Sequence, residues 1–133
     1  MQQVRIVVVA GDGIGPEVTR EAQLVLDAVA GRHGLAIEFE EHLIGGASID
    51  AHGTPLRVGV IERARASQAV LLGAVGGPKW DAMPVSTRPE RGLLRLTSPD
   101  FETPYTVQTS VGLAPQNGEN FAVDVDLVNT DGH

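Results

Sequence analysis

The residues best equipped to do chemistry lie in one stretch, residues 70–90, VLLGAVGGPKWDAMPVSTRPE. Lys79 and Arg88 bring positive charge, Trp80 a flat apolar face, and Asp81 and Glu90 acceptor oxygens. Gly76, Gly77 and Pro78 break the apolar run before them, and glycine lets a ligand approach the backbone closely. Such a set suits a ligand-binding loop, although an ordinary surface loop has a similar composition. Its position decides in favour of the ligand. Val70, Leu71, Leu72, Ala74 and Val75 run without polar alternation, as a strand covered on both faces by helices must. In open α/β sheets ligands sit in the crevice outside the carboxyl ends of such strands.

A second stretch, GDGIGPE at residues 11–17, resembles the glycine turns that cradle a pyrophosphate between strand and helix. Its spacing departs from the dinucleotide fingerprint: the third glycine should stand at position 16, which is Pro16, and Gly15 takes its place. A structural strand-to-helix turn is therefore expected. His33, His42, His52 and His133 show no metal-ligand spacing, and no serine lies in a nucleophile-elbow sequence. Asp124 and Asp126 alternate on a candidate strand and read as a solvated strand face rather than a metal pair.

These loops need a scaffold, and residues 1–96 spell one out. Residues 4–10, VRIVVVA, predict a buried strand ended by Gly11. Pro16 and Glu17 suit the first turn of a helix, whose apolar face is expected to be Val18, Ala22, Val25, Leu26 and Val29, with Gly31 and Gly34 as the stop. Residues 35–43 alternate as a strand nearer the sheet edge, and residues 44–55 read as a loop with about one helical turn. Residues 55–66 predict a second helix with Leu56, Val60, Ile61 and Ala64 inward. Strand, helix, strand, helix, strand gives two βαβ crossovers and a parallel sheet.

The bulk properties narrow the function. One domain fits in 133 residues, burying about two-thirds of its unfolded surface. A net charge of −7 and the absence of a basic cluster argue against nucleic acid as a partner. There is no cysteine, hence no disulfide framework and no thiolate metal site. The longest N-terminal apolar run is too short for a signal core or a membrane span, so no membrane role and a cytoplasmic location are expected.

Taken together, GDGIGPE at residues 11–17, LIGGASID at 43–50, LLGAVGGPKWD at 71–81 and RPERGLLRL at 88–96 resemble the N-terminal portion of the 3-isopropylmalate dehydrogenase family. The resemblance covers residues 4–96. It implies the βαβαβ parallel-sheet portion of that family's large domain, residues 1–96, followed by an unmatched tail, residues 97–133. It further implies NAD-dependent oxidative decarboxylation of 3-isopropylmalate in leucine biosynthesis, assisted by Mg²⁺ or Mn²⁺, in a cytoplasmic homodimer. Under it, Gly77, Pro78, Lys79, Trp80, Asp81 and Glu90 line the NAD site and Ile14 packs near the cofactor. Leu93 and Leu94 contact the isopropyl group of the substrate, for which a dry apolar surface is the right chemistry. From the residues alone, Leu93 and Leu94 read as helix core.

The match fails where the family's substrate arginines begin, since position 97 is Thr97 and no arginine follows Arg95. Tyr105 and Lys79 are the chain's one tyrosine and one lysine, and neither sits in a catalytic motif. No catalytic residue and no metal ligand is therefore assigned. The chain is expected to be a truncated form, inactive alone and prone to self-association. The competing class is a non-enzymatic binding module that uses the βαβ scaffold and the tail. In that tail, residues 105–113 and 121–128 are β-prone; a hairpin and disorder both fit, and neither is expected to extend the sheet stably.

Overall fold

A computed structural model describes residues 1–96 in full, and the backbone of residues 106–112 and 122–128. Five strands form one sheet in the order β2-β1-β3-β4-β5. They are β1 (Gln2–Gly11), β2 (Leu35–Glu41), β3 (Ala69–Ala74), β4 (Thr106–Gly112) and β5 (Ala122–Val128). The helices are α1 (Gly15–His33), α2 (Gly45–His52), α3 (Val58–Arg65) and α4 (Glu90–Leu96), with a short 3-10 turn at Pro78–Trp80. β1 runs parallel to both β2 and β3, as the two crossovers require.

The near-continuous apolar runs of β1 and β3 have a direct cause. Val7, Val9, Val70 and Leu72 point to one face, where they pack with Ile44, Leu56, Val60, Ala64 and Leu96. Ile6, Val8 and Leu71 point to the other, where Ala22 and Leu26 of α1 cover them. Each strand thus serves two cores, and a period-2 alternation between them reads as unbroken hydrophobicity. α1 lies on one face of the sheet, and α2, α3 and α4 lie on the other.

Three expectations need correction. Val25 and Val29 are exposed, as is Leu24, while the residues of α1 buried on the sheet side are Gly15, Thr19 and Ala30. The helix approaches the strands closely enough that its fully buried positions are small, while Ala22 and Leu26 pack on the sheet as expected. Residues 44–55 contain a full helix, α2, rather than one turn. Finally, β4 pairs parallel with β3 over Val70, Leu71 and Leu72, and β5 pairs antiparallel with β4, so the backbone of the tail continues the sheet. The open edge of β3 offers the unpaired N–H and C=O groups that such a strand needs. The side chains of Tyr105, Asp124 and Asp126 lie outside the described residues.

Candidate functional site

The chain leaves β1 toward α1 on one face, and leaves β3 toward α4 on the opposite face. That divergence makes the carboxyl ends of β1 and β3 the switch point of the sheet, where a crevice must open. Glycine lets the two strands' exits touch. A side chain at Gly11, whose φ is 80°, would run into the Ala74 carbonyl oxygen. The N–H of Asp12 donates to that same oxygen at 2.6 Å.

Asp12 is 5% exposed and ties three segments together. Its Oδ2 accepts from the N–H of Gly46 at 2.8 Å and of Gly76 at 2.9 Å, and its Oδ1 accepts from Ala47 at 2.7 Å. The loop after β1, the start of α2 and the loop after β3 therefore meet on one carboxylate. Sequence reading passed over Asp12; the available signal was a charged residue inside the tightest glycine turn of the chain.

The loop of residues 77–90 is built on that knot. The Trp80 ring stands against Gly46, where any Cβ would collide with it. Lys79 reaches back over this ring, its Nζ 5.2 Å from the centroid, and pairs with Asp50 Oδ2 at 2.6 Å. The hydrogen bond from Lys79 holds the Asp50 carboxyl below its ordinary range, with the attraction of the ammonium acting the same way against partial desolvation. Trp80 Nε1 is buried beside this pair with no hydrogen-bond partner among the described residues. Arg88 is engaged inside the loop, donating from Nε to the Met83 carbonyl at 2.8 Å and from a terminal nitrogen to the Asp81 carbonyl at 2.7 Å. Arg88 thus holds the loop's own shape, and Lys79 ties the loop to α2.

Glu90 differs. It begins α4, is exposed, and its carboxylate lies over Gly76, close to where a side chain there would be. It has no hydrogen-bonding partner among the described residues. Ile14 is 57% exposed at the start of α1, on the same end of the sheet. Leu93 and Leu94 part company: Leu93 packs against the core while Leu94 is 57% exposed. Gly77, Pro78 and Asp81 lie along the open loop surface.

A separate crevice of about 710 Å³ opens between the first turns of α1 and the ends of β1 and β2. Thr19, Arg20, Gln23, Glu41 and His42 line it, and no residue of the 77–90 loop does. Nearby, Glu40 takes both Arg63 Nε at 2.6 Å and its terminal nitrogen at 2.7 Å, with His42 Nε2 at 2.8 Å. The Arg63 hydrogen bonds, then His42, hold the Glu40 carboxyl down at about 2 against some desolvation. Among the described residues, no three His, Asp or Glu side chains converge as a metal site, and no helix is long and apolar enough to cross a membrane.

Helices on both faces of a sheet whose core strands β2, β1 and β3 run parallel, with glycine loops knotted at the switch point between β1 and β3, define a doubly wound α/β domain. Within that class the chain belongs to the isocitrate/isopropylmalate dehydrogenase family, which matches residues 5–104. The 3-isopropylmalate dehydrogenase of Anaeromyxobacter dehalogenans is 62% identical over 92 residues, which is 69% of this chain and 26% of that protein. The same enzyme of Prochlorococcus marinus is 54% identical over 96 residues, 72% of this chain and 27% of the relative. The chain thus spans about a quarter of the length of these relatives. Among solved structures, the TT0538 protein of Thermus thermophilus matches 92% of this chain and 23% of its own, with a TM-score of 0.51 at 28% identity. That likeness supports the α/β fold.

Proposed function

We propose that this chain forms the cofactor side of a 3-isopropylmalate dehydrogenase, a cytoplasmic homodimer that carries out NAD-dependent oxidative decarboxylation of 3-isopropylmalate in leucine biosynthesis. The observation that carries the proposal is Glu90: a carboxylate with no partner among the described residues, held over Gly76 at the switch point, in a chain whose matched 92 residues are 62% identical to a family member. A carboxylate so placed accepts hydrogen bonds from ribose hydroxyls. NAD, when bound, takes up the hydride from the substrate carbon. Around it Gly77, Pro78, Trp80 and Asp81 shape the wall, Ile14 supplies an apolar edge, and Lys79 acts through Asp50 to fix Trp80. Leu94, open to solvent, offers the apolar surface for an isopropyl group, with Leu93 rooting it in the core.

Among the described residues no three His, Asp or Glu side chains converge, so they do not fit Mg²⁺ or Mn²⁺. The chain's one lysine is engaged by Asp50, and no arginine follows Arg95 to grip a dicarboxylate. The 133-residue chain alone is therefore expected to bind NAD no tighter than about millimolar, roughly 4 kcal/mol, and to form no NADH from 3-isopropylmalate. Titration of NAD against the chain, followed through Trp80 fluorescence, tests the first point, and Glu90→Ala should weaken the binding. Absence of any NAD-dependent change at tens of millimolar would remove the cofactor assignment. NADH production that tracks the purified protein would overturn the expected inactivity.

A further inference from the structure

We propose that Asp12 is a positioning residue: by holding α2 and Gly76 on one carboxylate, it sets the loop of residues 77–90 in the conformation that faces the cofactor. The proposal rests on the assignment of that loop to NAD made above. α2 begins after Ile44, whose side chain cannot cap it, and no cap hydrogen bond comes from that residue. A helix start leaves its first N–H groups without intrahelical partners. Here Gly46 and Ala47 find theirs on Asp12, which stands 34 residues before Gly46 in the chain and places its negative charge at the positive end of the helix. The cap is supplied from another element, and the same oxygen that caps α2 also holds Gly76.

Two supports of the loop depend on this one group. Gly76 opens the loop with a φ of 104°, and Glu90 lies over it. Trp80 rests on Gly46. Releasing Asp12 therefore frees both the root of the loop and the surface on which its aromatic anchor sits. The residue type follows from the same count: three donors converge on two oxygens, and a carboxylate offers acceptors to all of them. An asparagine must turn its NH₂ toward at least one of those N–H groups.

The test compares wild type, Asp12→Ala, Asp12→Asn and a core control, Val60→Ala, each as the full 133-residue chain. Residue-resolved amide exchange, Trp80 emission and NAD titration are measured on all four. In wild type the amides of Gly46, Ala47 and Gly76 should be protected and open together. Asp12→Ala should speed their exchange about ten- to hundredfold relative to core amides, shift Trp80 emission to the red, and weaken NAD binding by about tenfold or more. Asp12→Asn should recover part of each change. Val60→Ala should lower global stability while leaving the ratio of loop to core exchange and the emission wavelength where they were.

Gly76 exchanging at a free-peptide rate in wild type would overturn the proposal even if Asp12→Ala fails to fold. So would identical behaviour of Asp12→Ala and Val60→Ala once scaled to global stability. Should wild type show the amide pattern without binding NAD, the cofactor assignment falls and the hold of Asp12 on the loop stands. Should Asp12→Ala bind NAD as well as wild type with its amides loosened, positioning is refuted and the cofactor assignment survives.

Discussion

Acidification should strip the Glu40–Arg63 pair of its stabilising effect, and Arg63→Gln should do the same at neutral pH. The folded-state pKa of Glu40 lies at about 2, below its ordinary 4.5, because Arg63 donates two hydrogen bonds to the ionised form. A depressed carboxyl contributes stability that is complete above the ordinary value and lost as the pH falls from about 4.5 through about 2. Read literally, the displacement corresponds to about 3 kcal/mol. That figure is an upper bound, since the Arg63 side chain is 53% exposed and that of Glu40 20%. Screening by water and the entropy of holding two long side chains leave about 1 kcal/mol. Urea unfolding of wild type and Arg63→Gln between pH 7 and pH 2 reads this directly. The gap between the two should be about 1 kcal/mol at neutral pH, close toward zero near pH 2, and shrink in molar salt. A gap that stays constant across that range would refute the electrostatic account and assign the effect of Arg63 to packing of its methylenes.

Gly11→Ala should cost more than about 3 kcal/mol, because the new Cβ meets a backbone oxygen that cannot yield. Gly13→Ala, two residues on with a φ of 56° and open space around it, should cost only about 1 kcal/mol, so urea midpoints should separate the pair clearly. Val60→Ala removes two methyl groups from a side chain that is 1% exposed and should lower unfolding stability by about 2 kcal/mol. Leu24, Val25 and Val29 present an uncovered apolar strip on α1, so sedimentation should show concentration-dependent association that Val25→Glu reduces; a monodisperse monomer at every concentration contradicts this.

The scaffold was legible wherever the physics is local. Apolar runs ended by glycine gave β1 and β3, and Pro16 with Glu17 announced α1 to within a residue. The inner face of α1 was legible in part: Ala22 and Leu26 pack on the sheet as their spacing predicts, whereas close helix-to-strand packing selects Gly15, Thr19 and Ala30 for full burial and leaves Val25 and Val29 outside. α2 was read as about one turn, shorter than it is, because its own sequence, GGASIDAH, lacks a cap, the cap being remote. The site divides in the same way. The place of the 77–90 loop after a buried strand could be read from composition and apolar pattern. The division of labour within it could not, since Lys79 and Arg88 look alike as free cations until Asp50 and the carbonyls of Met83 and Asp81 are brought beside them.

Because β1 and β3 each feed two apolar cores, a slip of one residue between them would exchange one oily face for another instead of turning oil to water. Hydrophobicity therefore does little to police their alignment, in contrast to a strand with one wet side. The alignment must be enforced by shape and by specific polar locks. Gly73 and Gly15 both back onto the Ala10 carbonyl, and no other pairing places bare backbone there. At the opposite end, the Gln68 side chain accepts from the Arg5 N–H at 2.7 Å while its own backbone N–H donates to the Arg5 carbonyl at 3.0 Å. A chain weakened at these points, for instance by Gln68→Leu, should still collapse readily but search longer among misaligned states. The defect would appear as a slow refolding phase rather than as a large loss of equilibrium stability.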